Sequence, residues 1–189
     1  MPSTPTSPDG TAAATGVDAR VGTGLTLARD GDSAEPAPRL VIVPCGKAKQ
    51  PESAPAGAMK IGSYHRAAMR AARALAERAP GTMIAIAASA KYGLLVDLDE
   101  VIEPYDTTAG RPGAITPVRL RRQAKVLGLA GAEVTVLAGR RYVDLARTVW
   151  PTATAPLEGV GGMGLQLQRL ARIAADGLDP AASHAPVER

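Results

Sequence analysis

Apolar residues fall along this chain in short blocks separated by stretches of helical spacing. RLVIVP (39–44) is an apolar run of strand length. GSYHRAAMRAARALAERA (62–79) carries Met69, Ala72, Leu75, Ala76 and Ala79 on one side. Arg66, Arg70, Arg73 and Glu77 form the opposite stripe, with Arg73 and Glu77 at i,i+4, so an amphipathic helix is predicted. TMIAIAAS (82–89) is a second strand. TPVRLRRQAKVLG (116–128) opens a helix with Thr116 as N-cap and Pro117 at the first helical position, and Gly128 ends it. EVTVLA (133–138) is a third strand, RRYVDLARTVW (140–150) a helix stopped by Pro151, and TATAPL (152–157) a short fourth strand. MGLQLQRLARIAADG (163–177) is a last amphipathic helix.

Strands that are apolar on both faces and alternate with helices indicate a parallel sheet buried between helices. The expected fold class is α/β: a three-layer domain over 39–175, mainly parallel in its sheet, with right-handed crossovers. Residues 1–38 are rich in Pro, Ser, Thr, Gly, Ala and Asp and lack a sustained hydrophobic period, so a disordered tail is expected. VGTGLTLA within it is the one stretch with strand character. Residues 176–189 read as a flexible C-terminal tail.

Composition sharpens this picture in three places. There is no Phe, one Trp and four Tyr, so Ala, Val, Leu and Ile must build the core. The formal charge is +4, but the first 38 residues carry −3 and the last fourteen −2, which leaves +9 on 39–175. That balance suits either an anionic partner or a solvated arginine surface. The single cysteine excludes an internal disulfide and any multi-cysteine metal site, and a reducing cytoplasmic location fits. No basic region followed by an apolar run opens the chain, and no apolar stretch approaches the ~20 residues that span a bilayer.

In open parallel sheets, ligands bind beyond the carboxyl ends of the strands. The segments just past the predicted strands are therefore informative: PCGKAKQ (44–50), SAKYG (89–93), AGRRY (138–142) and LEGVGGMG (157–164). Each holds glycine plus polar or charged groups, and a parallel sheet would bring all four to one edge. Gly46 permits a sharp turn and close approach to a ligand, and Lys47 and Lys49 add positive charge for phosphate or carboxylate. Cys45 is either a nucleophile, with Lys47 as the cation that favours its thiolate, or a small buried residue at a strand end. The spacing is not that of a phosphate-cradling P-loop. Gly139 precedes a helix N-terminus, a setting that favours anions, and Arg140, Arg141 and Tyr142 come directly after it. Glu158 and Gly159 open a glycine-rich entry to the last helix, which is either a close-approach loop or a flexible one.

Neither histidine builds a metal site, because four N/S/O ligands at workable spacing are not visible. No nucleophile elbow supports a Ser-His-Asp arrangement from His65 with Ser63 or Ser89.

Together, VIVPCGKAK, SYHRAAMRAARAL, AASAKYGLLVDLDEVIEPYDTT, VTVLAGRRYVDLA and APLEGVGGMGLQLQRL resemble a bacterial domain family of unknown function that is similar to the YaaA-like proteins. The signature SAKYGL…PYD is its most recognisable part, and the resemblance covers about 39–172. It implies a more distant likeness to the catalytic domain of archaeosine synthase, whose Pro-Cys-Ser…Lys motif has serine where this chain has Gly46. It further implies an α/β fold of the uracil-DNA-glycosylase-like or Rossmann-like kind and action on nucleic acids or modified bases. The YaaA-like proteins themselves are linked to peroxide stress and DNA binding.

On the residues themselves, Ser89 and Lys91 stand at the tip of the second strand, where Lys91 suits a phosphate or a developing anion. Tyr92 offers a face on which a base can stack, Gly93 permits the turn, and Tyr105 lies beside the carboxylates. Glycosidic chemistry needs a carboxylate to activate water, protonate a leaving group or stabilise an oxocarbenium ion, and Asp106 is the first candidate and Glu103 the second. Asp106 equally suits ligand positioning or a turn cap with Thr107 and Thr108. The expectation is an enzyme acting on a nucleobase or nucleotide, with no cofactor implied. The alternative is a non-catalytic DNA- or RNA-binding protein that uses Arg66, Arg70, Arg73 and the cluster Arg119, Arg121, Arg122, Lys125.

Overall fold

The computed structural model describes residues 36–87, 92–105 and 112–178. The stretch VGTGLTLA and residues 179–189 lie outside these. The elements in chain order are β1 (Arg39–Pro44), β2 (Ala54–Pro55), α1 (Ser63–Arg78), β3 (Met83–Ala87), β4 (Leu94–Leu95), β5 (Val101–Ile102), α2 (Pro117–Val126), β6 (Glu133–Val136), α3 (Arg140–Arg147) and α4 (Met163–Asp176).

The fold is mixed α/β, with a four-stranded, mostly parallel sheet in the order β4-β3-β1-β6. Central β1 pairs in parallel with β3, from Leu40↔Met83 to Pro44↔Ala87, and with β6, from Arg39↔Glu133 to Ile42↔Val136. Leu40, Val41, Ile42 and Val43 are all buried, as a strand with both faces covered requires. Helix α1 packs on β1 and β3 and against α4. Ile42, Ala87 and Leu94 meet Leu120 of α2 and Tyr142, Leu145 and Ala146 of α3. The core is aliphatic, and its one indole is satisfied: Trp150 Nε1 donates to the Leu129 carbonyl at 2.7 Å.

Helix boundaries obey local chemistry. Thr116 accepts the Arg119 N–H at 3.3 Å, a cap of about 1 kcal/mol, and a proline comes next in the first turn of α2. Gly128 takes φ +70° just past that helix, where a side chain would be strained. Helix α3 stops at Arg147, before the predicted end at Trp150, because the chain turns through Thr148 and Val149 to dock the indole.

One expected element is corrected. The stretch 152–157 is not a strand, since only Thr154 forms a parallel bridge, with Thr135. Its N–H donates to the Val134 carbonyl and its carbonyl accepts from Val136, both at 2.8 Å. Pro156 has no N–H with which to extend the ladder. The fourth strand is instead β4, antiparallel to β3 through Ile86↔Leu95 and Ala87↔Leu94.

Candidate functional site

The segment that leaves β1 folds back on itself before α1. Gln50 N–H donates to the Met59 carbonyl and Ile61 N–H to the Ala48 carbonyl, at 2.9 and 3.2 Å. This pairs Lys49 with Lys60 in an antiparallel bridge. A small ribbon of β2 and β5, in which Ala54 faces Ile102, then carries the approach to Tyr105 against the same segment. Ala56 and Gly57 donate to the carbonyls of Glu100 and Leu98, both at 2.8 Å, and fix that placement.

The outcome is a cluster of cations and tyrosines at the carboxyl end of β1. Lys60 Nζ stands 3.6 Å from the centroid of the Tyr105 ring, and Lys49 Nζ 5.3 Å from it. The Tyr92 ring is tilted against Tyr105, with centroids 5.3 Å apart, and the Tyr92 hydroxyl accepts the Glu103 N–H at 3.1 Å. Lys60 is 3% exposed and Tyr105 9%. Among the described residues, Lys60 Nζ has no hydrogen-bond partner, and the Tyr105 hydroxyl is met by the Cys45 side chain.

That setting changes the chemistry of both groups. Burial, helped by the charge of Lys49 and opposed by Cys45, pushes the Lys60 amine down to about 7. Burial raises the Tyr105 phenol, and the neighbouring Cys45 side chain and Tyr92 act in the same direction. Tyr105 therefore stays neutral, while Lys60 is poised to exchange a proton near neutral pH.

Cys45 lies at the head of the same edge, 4% exposed. Its Sγ is 3.0 Å from the Tyr142 hydroxyl, which in turn donates to the Cys45 carbonyl at 3.2 Å. Behind it, His65 Nδ1 donates to the Pro44 carbonyl at 2.7 Å, because a carbonyl only accepts. Burial lowers the His65 pKa; the Pro44 bond opposes the shift, and Lys60 and Arg73 add to it. The ring is thus neutral at pH 7, with a lone pair on a buried Nε2 that has no partner among the described residues.

The predicted site residues divide accordingly. Cys45, Lys49, Tyr92, Tyr105 and Tyr142 come together, and Cys45–Tyr142 joins the first and third strand tips. Gly46 fits closely, since a Cβ there would meet His65 Cβ at 3.2 Å. Lys47 and Glu103 are at the rim and exposed. Gly93 takes φ +67°, and a Cβ on it would overlap the Gln123 amide, whose Oε1 accepts the Leu94 N–H at 2.9 Å. Ser89, Lys91 and Asp106 lie outside the described residues.

Gly139 is the N-cap residue of α3, and Arg140 faces Asp144 at 3.8 Å. Arg141 is exposed, and no described contact carries either arginine to the cluster. Glu158 is gripped by Arg147 through two bonds of 3.0 and 2.8 Å, and Gly159 beside it takes φ +74°. This loop reaches α1 through Gln166, whose Oε1 accepts the Tyr64 hydroxyl at 2.8 Å.

Sequence reasoning missed Lys60, the buried amine whose pKa falls to about 7. The available signal was its setting in AMKIG, a lysine between apolar neighbours in a chain with few lysines. Among the described residues, no three His, Cys, Asp or Glu side chains are grouped to hold a metal ion, and no helix is long and apolar enough to cross a membrane. A mostly apolar cavity of about 390 Å³ lies at the opposite, amino edge of the sheet near Arg39 and Glu133, away from this chemistry.

Residues 40–172 match the model of a family of unknown function, DUF6884, and the chain belongs to that family. No curated protein and no solved structure matches it.

Proposed function

We propose that this member of a family of unknown function is an enzyme acting on a nucleobase or nucleotide, with its centre at the carboxyl end of β1. The observation that carries the reading is Lys60: a buried amine near neutrality, beside Cys45 and against Tyr105. An amine with a pKa of about 7 is half unprotonated at physiological pH, so it can take a proton from a reacting group or attack an electrophilic carbon. Half-buried Tyr92 offers a planar base a face to stack on. Asp106, next in sequence after Tyr105, and Glu103 are the carboxylates for base modification or glycosidic-bond chemistry, and Lys91 is the cation for the anion that develops. The α/β architecture is compatible with the uracil-DNA-glycosylase-like or Rossmann-like class that the YaaA-like resemblance implies, and a cytoplasmic site of action goes with this reading.

The test is mass spectrometry of nucleosides and free bases after incubation with DNA, RNA and nucleotide pools. The wild-type chain is expected to generate a new base or nucleoside. Lys60→Met, Asp106→Asn and Lys91→Ala should each reduce its formation ~100-fold or more while far-UV dichroism is unchanged. Absence of any product, or equal product from all variants, overturns the reading.

A second reading, a non-catalytic DNA- or RNA-binding protein of a stress-response type, is favoured by the exposed Arg66, Arg70 and Arg73 on α1. It predicts strongly salt-dependent binding with no product at all.

A further inference from the structure

The arginine stripe of α1 does not face open solvent alone. It forms one wall of a groove of about 660 Å³ between α1 and α4. Arg66, Arg70 and Arg73 supply its charge, Ala171, Ala174 and Ala175 of α4 its other wall, and Lys60 and His65 its floor. The guanidiniums succeed one another at about one helical turn, on the order of 5–6 Å. Among the described residues none of these arginines is in an ion pair. Glu77, one turn beyond Arg73, also lines the groove and marks where the cationic run ends.

The floor is unusual for a solvated charge stripe. Lys60 and His65 are 3% and 1% exposed, yet Lys60 Nζ and His65 Nε2 both lack partners among the described residues. A buried polar atom without a partner destabilises the fold, and a ligand that bonds to it relieves that cost. The two atoms want different things. The Lys60 amine donates, whereas the neutral His65 Nε2 accepts and needs a hydroxyl or N–H. A ribose–phosphate chain has both: oxyanions for the arginines and Lys60, and 2′-hydroxyls for His65, whereas a deoxyribose chain offers the oxyanions alone. The alanine wall provides neither stacking faces nor base-edge donors, so the groove recognises backbone and not sequence. Its volume lies within the ~300–1,000 Å³ of small-ligand clefts, which suits a nucleotide or two of a single strand. Lys60 belongs both to this floor and to the tyrosine cluster, so a strand lying here would lead to that cluster.

We infer that the α1/α4 groove binds the sugar–phosphate backbone of a single-stranded nucleic acid and directs it to Lys60. This rests on the nucleobase reading for its chemistry, but the binding is measured independently of turnover.

The experiment is fluorescence anisotropy with labelled single-stranded RNA and DNA twelve-mers of the same mixed sequence, across a salt series, on the full chain. Arg66→Ala/Arg70→Ala/Arg73→Ala is compared with Arg20→Ala/Arg29→Ala/Arg39→Ala, which removes the same charge elsewhere in the chain. The groove variant is expected to bind ~30-fold more weakly at low salt and to lose about 2 from the slope of log K against log salt, as three single-strand phosphate contacts require. The control variant should stay within ~3-fold of wild type. Tighter binding of RNA than DNA that disappears in His65→Ala assigns Nε2 to the 2′-hydroxyl; equal binding of the two removes His65 from backbone recognition and leaves the arginines and Lys60 as its contacts. Equal weakening by both triple variants, tighter binding of the duplex than of either strand, or no binding overturns the inference. Product from free nucleotides without strand binding removes the groove and leaves the nucleobase reading standing. Strand binding through the groove without product does the reverse.

Discussion

The ammonium of Lys60 rests 3.6 Å from the centroid of the Tyr105 ring, and both side chains are almost wholly buried. The contact gives the cation an aromatic face in place of the hydrogen bonds that water would provide, and burial still wins. The amine titrates near 7 in the fold against 10.5 as a free side chain.

Stability must then depend on pH in a definite direction. Between about 7 and 10.5 the unfolded chain holds the Lys60 proton and the folded chain does not. Stability gains from rising pH wherever the unfolded state binds more protons, so the Lys60 contribution improves across that window. Below it, the full cost of the buried ammonium remains. Lys60→Met is expected to be more stable than wild type by about 2–4 kcal/mol at pH 6, and the difference should shrink toward pH 10.5. Urea unfolding of both proteins at pH 6, 8 and 10 measures it. A difference that is constant with pH would show that Lys60 keeps its ordinary proton affinity.

Tyr105 separates the roles of ring and hydroxyl. The hydroxyl is buried beside the Cys45 side chain, a weak partner, while the ring packs on Lys60 and Tyr92. Tyr105→Phe should therefore lower stability by no more than about 1 kcal/mol. Tyr105→Ala should cost about 3–5 kcal/mol. Denaturation midpoints of the two variants decide the matter, and a Phe variant as unstable as the Ala variant would mean that the hydroxyl, and not the ring, carries the stabilising contact.

The sheet was legible because its strands announce themselves: LVIVP and MIAIA are apolar throughout, as a doubly covered strand is. The helices were legible because a repeat of three to four residues separates Met69 and Ala72 from Arg66 and Arg70. The features that escaped depend on long-range pairing. Leu94–Leu95 is too short to show any period, and it becomes a strand only because Ile86 and Ala87 lie beside it. Lys60 escaped for a related reason. Its burial comes from the bridge to Lys49 and the ribbon that delivers Tyr105, and neither is a property of the residues around it. Of the glycine-rich segments expected at the strand tips, LEGVGGMG has its Glu158 held by Arg147 and not by the lysine cluster.

Gly93 is required twice over. Its φ of +67° is a left-handed conformation, and a Cβ at this position would overlap the Gln123 side chain that holds Leu94. Gly93→Ala adds strain of roughly 1–2 kcal/mol in the backbone and displaces the glutamine from its bond. A total loss of about 2–4 kcal/mol is expected by denaturant unfolding. The loss should fall by about 1 kcal/mol in Gly93→Ala/Gln123→Ala, where the overlap is gone. A Gly93→Ala variant as stable as wild type would place the turn in another conformation.

Cys45 provides the most direct probe of the strand-tip geometry, because it is the only cysteine in the chain. The residue is 4% exposed, and its Sγ lies 3.0 Å from the Tyr142 hydroxyl. A reagent must wait for the edge of the sheet to open before it reaches the thiol. Tyr142→Phe removes the contact to Sγ and leaves the Cys45 carbonyl without the phenol's proton. The loss is about 1–2 kcal/mol, and if opening is governed by this contact, alkylation of the folded protein should accelerate roughly tenfold. Iodoacetamide labelling with intact-mass measurement gives the rate, and labelling in urea gives the rate of the exposed thiol. Fast labelling of the wild-type chain, at the rate seen in urea, would place the thiol in solvent and remove the Tyr142 contact as its gate. Slow labelling in wild type and the tenfold gain in Tyr142→Phe would fix the first and third strand tips as one joined edge.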